Sequence, residues 1–140
     1  MLRIVAVEDN SADTQLLREA LRLSMGEFTL TTFEDAESAS QYFSNTRSEA
    51  SHLIVLDLKL PGRSGLELLR DLKADEDLRN IPVIVLAGSD DLEDVKSAYA
   101  LHASCYLVKR LTATEQLKAL RTMVDFWLTT AWLPWHQHAE

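Results

Sequence analysis

Five apolar runs of strand length recur along the chain: LRIVAV (2–7), FTLTTF (28–33), LIVLDL (53–58), PVIVLA (82–87) and CYLV (105–108). Between them the apolar positions space out as on one face of a helix. Leu16, Leu17, Ala20 and Leu21 mark a helix from about residue 11, with Asn10 as its cap and Asp13 in its first turn, where the helix dipole favours an acid. A second helix is expected from Ala36 to Phe43, a third along Leu66, Leu69 and Leu72, a fourth along Leu92, Val95 and Tyr99, and a fifth along Leu117, Leu120 and Val124.

Strands alternating with helices predict a parallel sheet with right-handed crossovers and helices on both faces. The first, third and fourth runs are continuously apolar, as strands buried on both sides are, whereas FTLTTF alternates as an edge strand does. The expected fold class is therefore α/β, a doubly wound (βα)5 sheet. For five strands the common flavodoxin-like order is 2-1-3-4-5, whose ligand crevice lies beyond the carboxyl ends of strands 1 and 3.

The 140 residues fit one domain large enough to bury a core without disulfides or structural metal. No linker or repeat divides it. Only the end, WLPWHQHAE, changes character, so residues 1–130 are assigned to the domain and 131–140 to a C-terminal extension. Twenty-two acidic against fourteen basic residues give a formal charge of −8, which disfavours nucleic acid and anionic membrane surfaces as partners. The lone Cys105 has no intramolecular partner and reads as a small core residue in a reducing compartment. No apolar run approaches the ~20 residues of a bilayer span, and the N-terminus turns acidic too soon for a signal peptide. A soluble, cytoplasmic protein is expected.

Chemistry enters at the strand ends. In the inferred topology Glu8 and Asp9 close strand 1, Asp57 lies near the end of strand 3, Ala87 ends strand 4 and Lys109 follows strand 5, all on one rim. Each alone has a plainer role: acids at a helix start, an aspartate satisfied by backbone N–H groups, a solvated lysine. Together, three carboxylates and one ammonium leave like charges uncompensated. A hard divalent cation would resolve the repulsion, and Mg2+ fits best, held by one or two carboxylates with water and phosphate oxygens.

The same residues resemble the receiver domain of two-component response regulators from Ile4 to about Leu128. The matching pieces are VEDN with its acids at 8 and 9, DLKLPGRSG with Asp57, Pro61 and Gly65, the strand IPVIVLAGS, and YLVK with Tyr106 and Lys109. The resemblance implies a phosphoacceptor, not an ordinary enzyme: Asp57 takes a phosphoryl group from a phosphohistidine of a sensor histidine kinase. It implies Mg2+ held by Asp9, Asp57 and the carbonyl of Lys59, with Glu8 acting through water and Lys109 pairing with a phosphoryl oxygen.

Two departures stand out. Receivers usually place Thr or Ser where this chain has Ala87, which lacks a donor; a lost bond to a charged group is worth on the order of 1.5–3 kcal/mol. Ser89 either substitutes from the loop or, the preferred reading, caps the next helix. Receivers also usually follow the lysine with proline, often after a cis bond, and here Arg110 stands in its place. A cis bond before another residue costs ~2.5–4 kcal/mol, so a trans peptide is expected, with Lys109 or its loop displaced. Tyr106 matches the aromatic residue whose rotamer reports activation, and the space at Ala87 and Gly88 permits it to lie inward.

Helix 5 carries more apolar residues than one core stripe absorbs: Met123, Phe126 and Trp127, then Trp132, Leu133 and Trp135. A homodimer contact through Met123, Phe126, Trp127 and Trp132 is expected; the alternative is a tail folded over its own domain. The connection KADEDLRNIP and the FWL sequence resemble stand-alone receivers that serve phytochrome-type kinases, with onward transfer to a histidine phosphotransfer protein also implied. The competing functions are a degenerate receiver acting as a phosphate-independent interaction module and an aspartate-nucleophile phosphohydrolase. The latter needs a second acid two residues past the nucleophile, where Lys59 stands. A flavodoxin is disfavoured because EDNSAD would repel a flavin phosphate. The tail pair His136 and His138 is too short a pattern for a metal site.

Overall fold

The computed structural model describes residues 1–24 and 26–134. Its elements alternate β1 (Leu2–Val7), α1 (Ser11–Leu23), β2 (Phe28–Phe33), α2 (Ala36–Thr46), β3 (Leu53–Leu56), α3 (Gly65–Ala74), β4 (Val83–Ala87), α4 (Leu92–Ala100), β5 (Cys105–Val108) and α5 (Ala113–Asp125). The strands form one parallel sheet in the order β2-β1-β3-β4-β5, as the apolar pattern predicts.

The sheet buries both faces because β3 and β4 are apolar at every position and β1 is apolar from Ile4 onward. Val5, Val7, Ile54, Leu56, Val83 and Val85 point into the layer closed by α2, α3 and α4. Their neighbours Ile4, Ala6, Leu53, Val55, Ile84 and Leu86 face α1 and α5, packing on Leu17, Leu21, Leu120 and Val124. Each of these Val, Leu and Ile side chains contributes about 1.5–3 kcal/mol by leaving water. β2 is only partly buried, as its alternation predicts for an edge strand.

Side-chain caps start the helices, and at α1 the cap is the expected Asn10. Asn10 accepts the Asp13 N–H at α1, Asp35 the Ser38 N–H at α2, Ser64 the Glu67 N–H at α3 and Thr112 the Glu115 N–H at α5. At α4 the cap is Asp91, not Ser89. Ser89 instead accepts the Asp91 N–H and donates its hydroxyl to Asp94, which ties the loop to the helix start.

Other expectations shift. β3 ends at Leu56, so Asp57 sits one residue beyond the strand. On α4 the stripe Leu92, Val95, Tyr99 does not face the core; Leu92 and Tyr99 are exposed and Ala98 packs inward, since a small residue allows close approach to the sheet. Cys105 is half-buried on the edge strand. Met123, expected in a dimer contact, is 6% exposed and packs with Leu120 and Val124 in the protomer's own core. After α5 the backbone makes a single π turn, Phe126–Thr130, and Leu133 folds back to burial. Trp135, His136 and His138 lie outside the described residues.

Candidate functional site

Register brings the acids together. Val7 lies opposite Leu56, so the residues after them, Glu8 and Asp57, leave the sheet side by side. The ladder continues one step past the strand, with the Asp57 N–H donating to the Val7 carbonyl at 3.0 Å and the Glu8 N–H to the Phe33 carbonyl at 2.9 Å. Glu8 and Asp57 are buried and Asp9 is exposed, yet an oxygen from each lies within 4.8 Å of the other two. Lys109, one residue past β5, places Nζ 2.8 Å from Glu8, 2.8 Å from Asp13 and 3.0 Å from Asp57.

The protonation pattern follows from this crowding. Burial pushes the Glu8 carboxyl up to about 7; the Lys109 ammonium opposes the rise and the neighbouring Asp57 carboxylate adds to it. Burial alone would lower the Lys109 pKa, but its bonds to Asp13, Glu8 and Asp57 outweigh that and hold the ammonium above its ordinary range. The donors are carboxylates without histidine or thiolate in the cluster, a set that suits a hard divalent cation.

The β3–α3 loop presents the Asp57 side chain. The Lys59 N–H points at Asp57 Oδ1 across 3.4 Å, a weak contact. Gly62 adopts φ +75°, which follows naturally on the turn set by Pro61. Gly65 matters for another reason: a Cβ there would overlap the Asp57 carbonyl oxygen and crowd Leu58 Cα. Its N–H donates to the Leu58 carbonyl at 2.9 Å and closes the loop.

The chain that builds this rim is similar to known proteins in sequence and in fold. The model of the response regulator receiver domain matches residues 4–121. The chain belongs to the response regulator receiver family. It is 36% identical to response regulator Rcp1 of Synechocystis sp. over 94% of this chain and 92% of that protein. The crystal structure of the Mn2+-bound form of Rcp1 superposes with TM-score 0.89 at 35% identity, covering 96% of this chain and 99% of Rcp1. The phosphorylated cyanobacterial phytochrome response regulator RcpA superposes with TM-score 0.90 at 36% identity, covering 95% and 98% of the two chains.

As a receiver the chain departs from the usual pattern at the ends of β4 and β5. Ala87 is 2% exposed and offers no hydroxyl. Ser89 does not replace it, because its hydroxyl is committed to Asp94 at 2.7 Å. The Tyr106 hydroxyl donates to the Ser89 carbonyl at 2.8 Å, and its ring packs on the core layer shared with Ala87, an inward arrangement. No cis peptide occurs among the described residues, so the Lys109–Arg110 bond is trans. Across this trans bond Lys109 still reaches the site: its N–H donates to the Ala87 carbonyl at 2.8 Å and its Nζ lies 3.0 Å from Asp57.

Two residues of this receiver site escape sequence reading. Asp13 reads only as a first-turn acid of α1, yet it is bonded to Lys109; the signal is its place in the first turn of the helix that leaves β1 at this rim. Gln116 is a polar residue on the core stripe four before Leu120, and it is 3% exposed. Of the tail residues, Trp127 is half-buried against the core and meets Phe126 edge-on with centroids 5.4 Å apart. Phe126 and Trp132 remain exposed, at 50% and 65%.

Proposed function

We propose that this receiver takes a phosphoryl group from a phosphohistidine of a sensor histidine kinase onto Asp57 and passes the signal on through protein contacts. The observation that supports this most is the convergence of Lys109 on Asp57 at 3.0 Å, with Glu8 and Asp9 alongside. An Asp57 oxygen attacks phosphorus, an O–P bond forms, the N–P bond breaks, and the imidazole keeps the electron pair. The product is an acyl phosphate. Mg2+ held by Asp9, Asp57 and the Lys59 carbonyl, with Glu8 acting through water, would neutralise charge on the phosphoryl oxygens. Lys109 exchanges a carboxylate partner for a phosphoryl oxygen. The transition state is loose, so positioning and charge balance do most of the work. Attack by water on the same phosphorus reverses the modification.

A phytochrome-type kinase is the partner this reading favours, because the similar RcpA is a phytochrome response regulator. Transfer onward to a histidine phosphotransfer protein uses the same site. Self-association through Phe126, Trp127 and Trp132 supplies the output surface, which agrees with the exposure of Phe126 and Trp132. Among the described residues no helix is long and apolar enough to cross a membrane, and the proposed setting is the cytoplasm.

Incubation with a small acyl-phosphate donor and Mg2+, followed by intact mass, tests the proposal. The wild type gains one phosphoryl group and Asp57→Asn gains none. A wild type that stays unmodified, under conditions that label another receiver, refutes it and favours the phosphate-independent module.

A further inference from the structure

We propose that Gln116 is a positioning residue for phosphoryl transfer: its side-chain carbonyl holds the Lys109–Arg110 peptide and thereby aims Lys109 at Asp57. This rests on the reading of Asp57 as phosphoacceptor. The backbone around Lys109 is pinned on both sides. Upstream, the Lys109 N–H donates to the Ala87 carbonyl at 2.8 Å; downstream, the Arg110 N–H donates to Gln116 Oε1 at 2.7 Å.

Gln116 is itself fixed. Its N–H bonds the Thr112 carbonyl at 2.9 Å in the first turn of α5, and it is 3% exposed. Its Nε2 has no hydrogen-bond partner among the described residues. An orphaned buried amide is costly, and packing alone would favour Leu or Met at this place on the stripe. What the amide supplies is an acceptor for Arg110, a donor that proline would lack. A lysine stem has four rotatable carbons, so a fixed backbone origin narrows where its ammonium goes. With both peptides held, Nζ arrives 3.0 Å from Asp57 in a trans-bonded loop.

The test is a cycle of Gln116→Met and Lys109→Met in the full chain, reading the rate of Asp57 labelling by a small acyl-phosphate donor with Mg2+. Gln116→Met is expected to label about tenfold more slowly, with unchanged Mg2+ affinity by calorimetry. In the Lys109→Met background the same change is expected to have no further effect. Labelling at the wild-type rate, or an equal loss in both backgrounds, overturns the proposal. A wild type that takes no label, or an Asp57→Asn protein that takes it, instead removes the reading of Asp57 on which the proposal stands. Amide exchange of unmodified protein adds a test without substitution: Arg110 is expected to be protected like Lys109, and exchange at the solvent rate overturns the role of Gln116.

Discussion

Lys109 Nζ bonds Asp57 Oδ2 at 3.0 Å while also reaching Glu8 and Asp13, so one ammonium offsets three carboxylates at the carboxyl edge of the sheet. A single positive charge balances these carboxyl groups only in part, and Asp9 adds a fourth acid at the same rim.

Lys109→Met removes the cation from this cluster. Because Lys109 is 17% exposed, the metal-free protein should lose roughly 2–3 kcal/mol, at or below the range for breaking a fully buried pair. Mg2+ should then raise the melting temperature more in the variant than in the wild type. Equal gains in thermal melts would mean that cation and ammonium do not share the same charges.

The pH dependence has a defined sign. Glu8 is raised from 4.5 to about 7, so the fold favours its protonated form. The resulting cost is absent below the ordinary pKa, grows as pH rises to about 7 and is constant beyond it. Thermal melts of metal-free protein between roughly pH 5 and pH 8 should show Glu8→Gln gaining on the wild type as pH rises. Mg2+ affinity of the wild type should climb over the same window and then level off, because metal displaces the proton. A flat difference between the two proteins would contradict this.

Gly65→Ala places a Cβ against the Asp57 carbonyl oxygen and Leu58 Cα, both backbone atoms. Overpacking of this kind should cost about 2–3 kcal/mol. Chemical denaturation would detect it as a lower midpoint at constant slope, and an unchanged midpoint would show that the loop yields.

Ala87→Thr adds the hydroxyl missing at the end of β4. The phosphorylation-dependent change in self-association, followed by sedimentation, should be larger than in the wild type, since a bond to a charged group is worth about 1.5–3 kcal/mol. Unchanged coupling would place the switch elsewhere, with the inward Tyr106 as the first element to examine.

Much of this was legible in the residues because local and global signals agree. The continuous apolarity of IVAV, LIVL and VIVLA sets the central strands, and the strand order then brings Glu8, Asp57 and Lys109 to one rim. What escaped depends on rotation about a helix axis or on one hydrogen bond. Leu92 and Tyr99 have helical spacing with Val95, but the close packing of Ala98 turns that stripe outward. Met123 looked surplus to the core stripe, yet it lies beside Leu120 and Val124 beneath α1. Lys109 reaches Asp57 without a following proline, and the Gln116 contact to Arg110 that accompanies this cannot be read from spacing.

The most direct test of the account is where the phosphoryl group lands. Wild-type protein treated with a small acyl-phosphate donor and Mg2+, then fragmented and sequenced by mass spectrometry, should carry a hydroxylamine-labile group on Asp57. It should carry none when Mg2+ is chelated. A label on Asp9 or a hydroxyl residue, or uptake that ignores Mg2+, would contradict it.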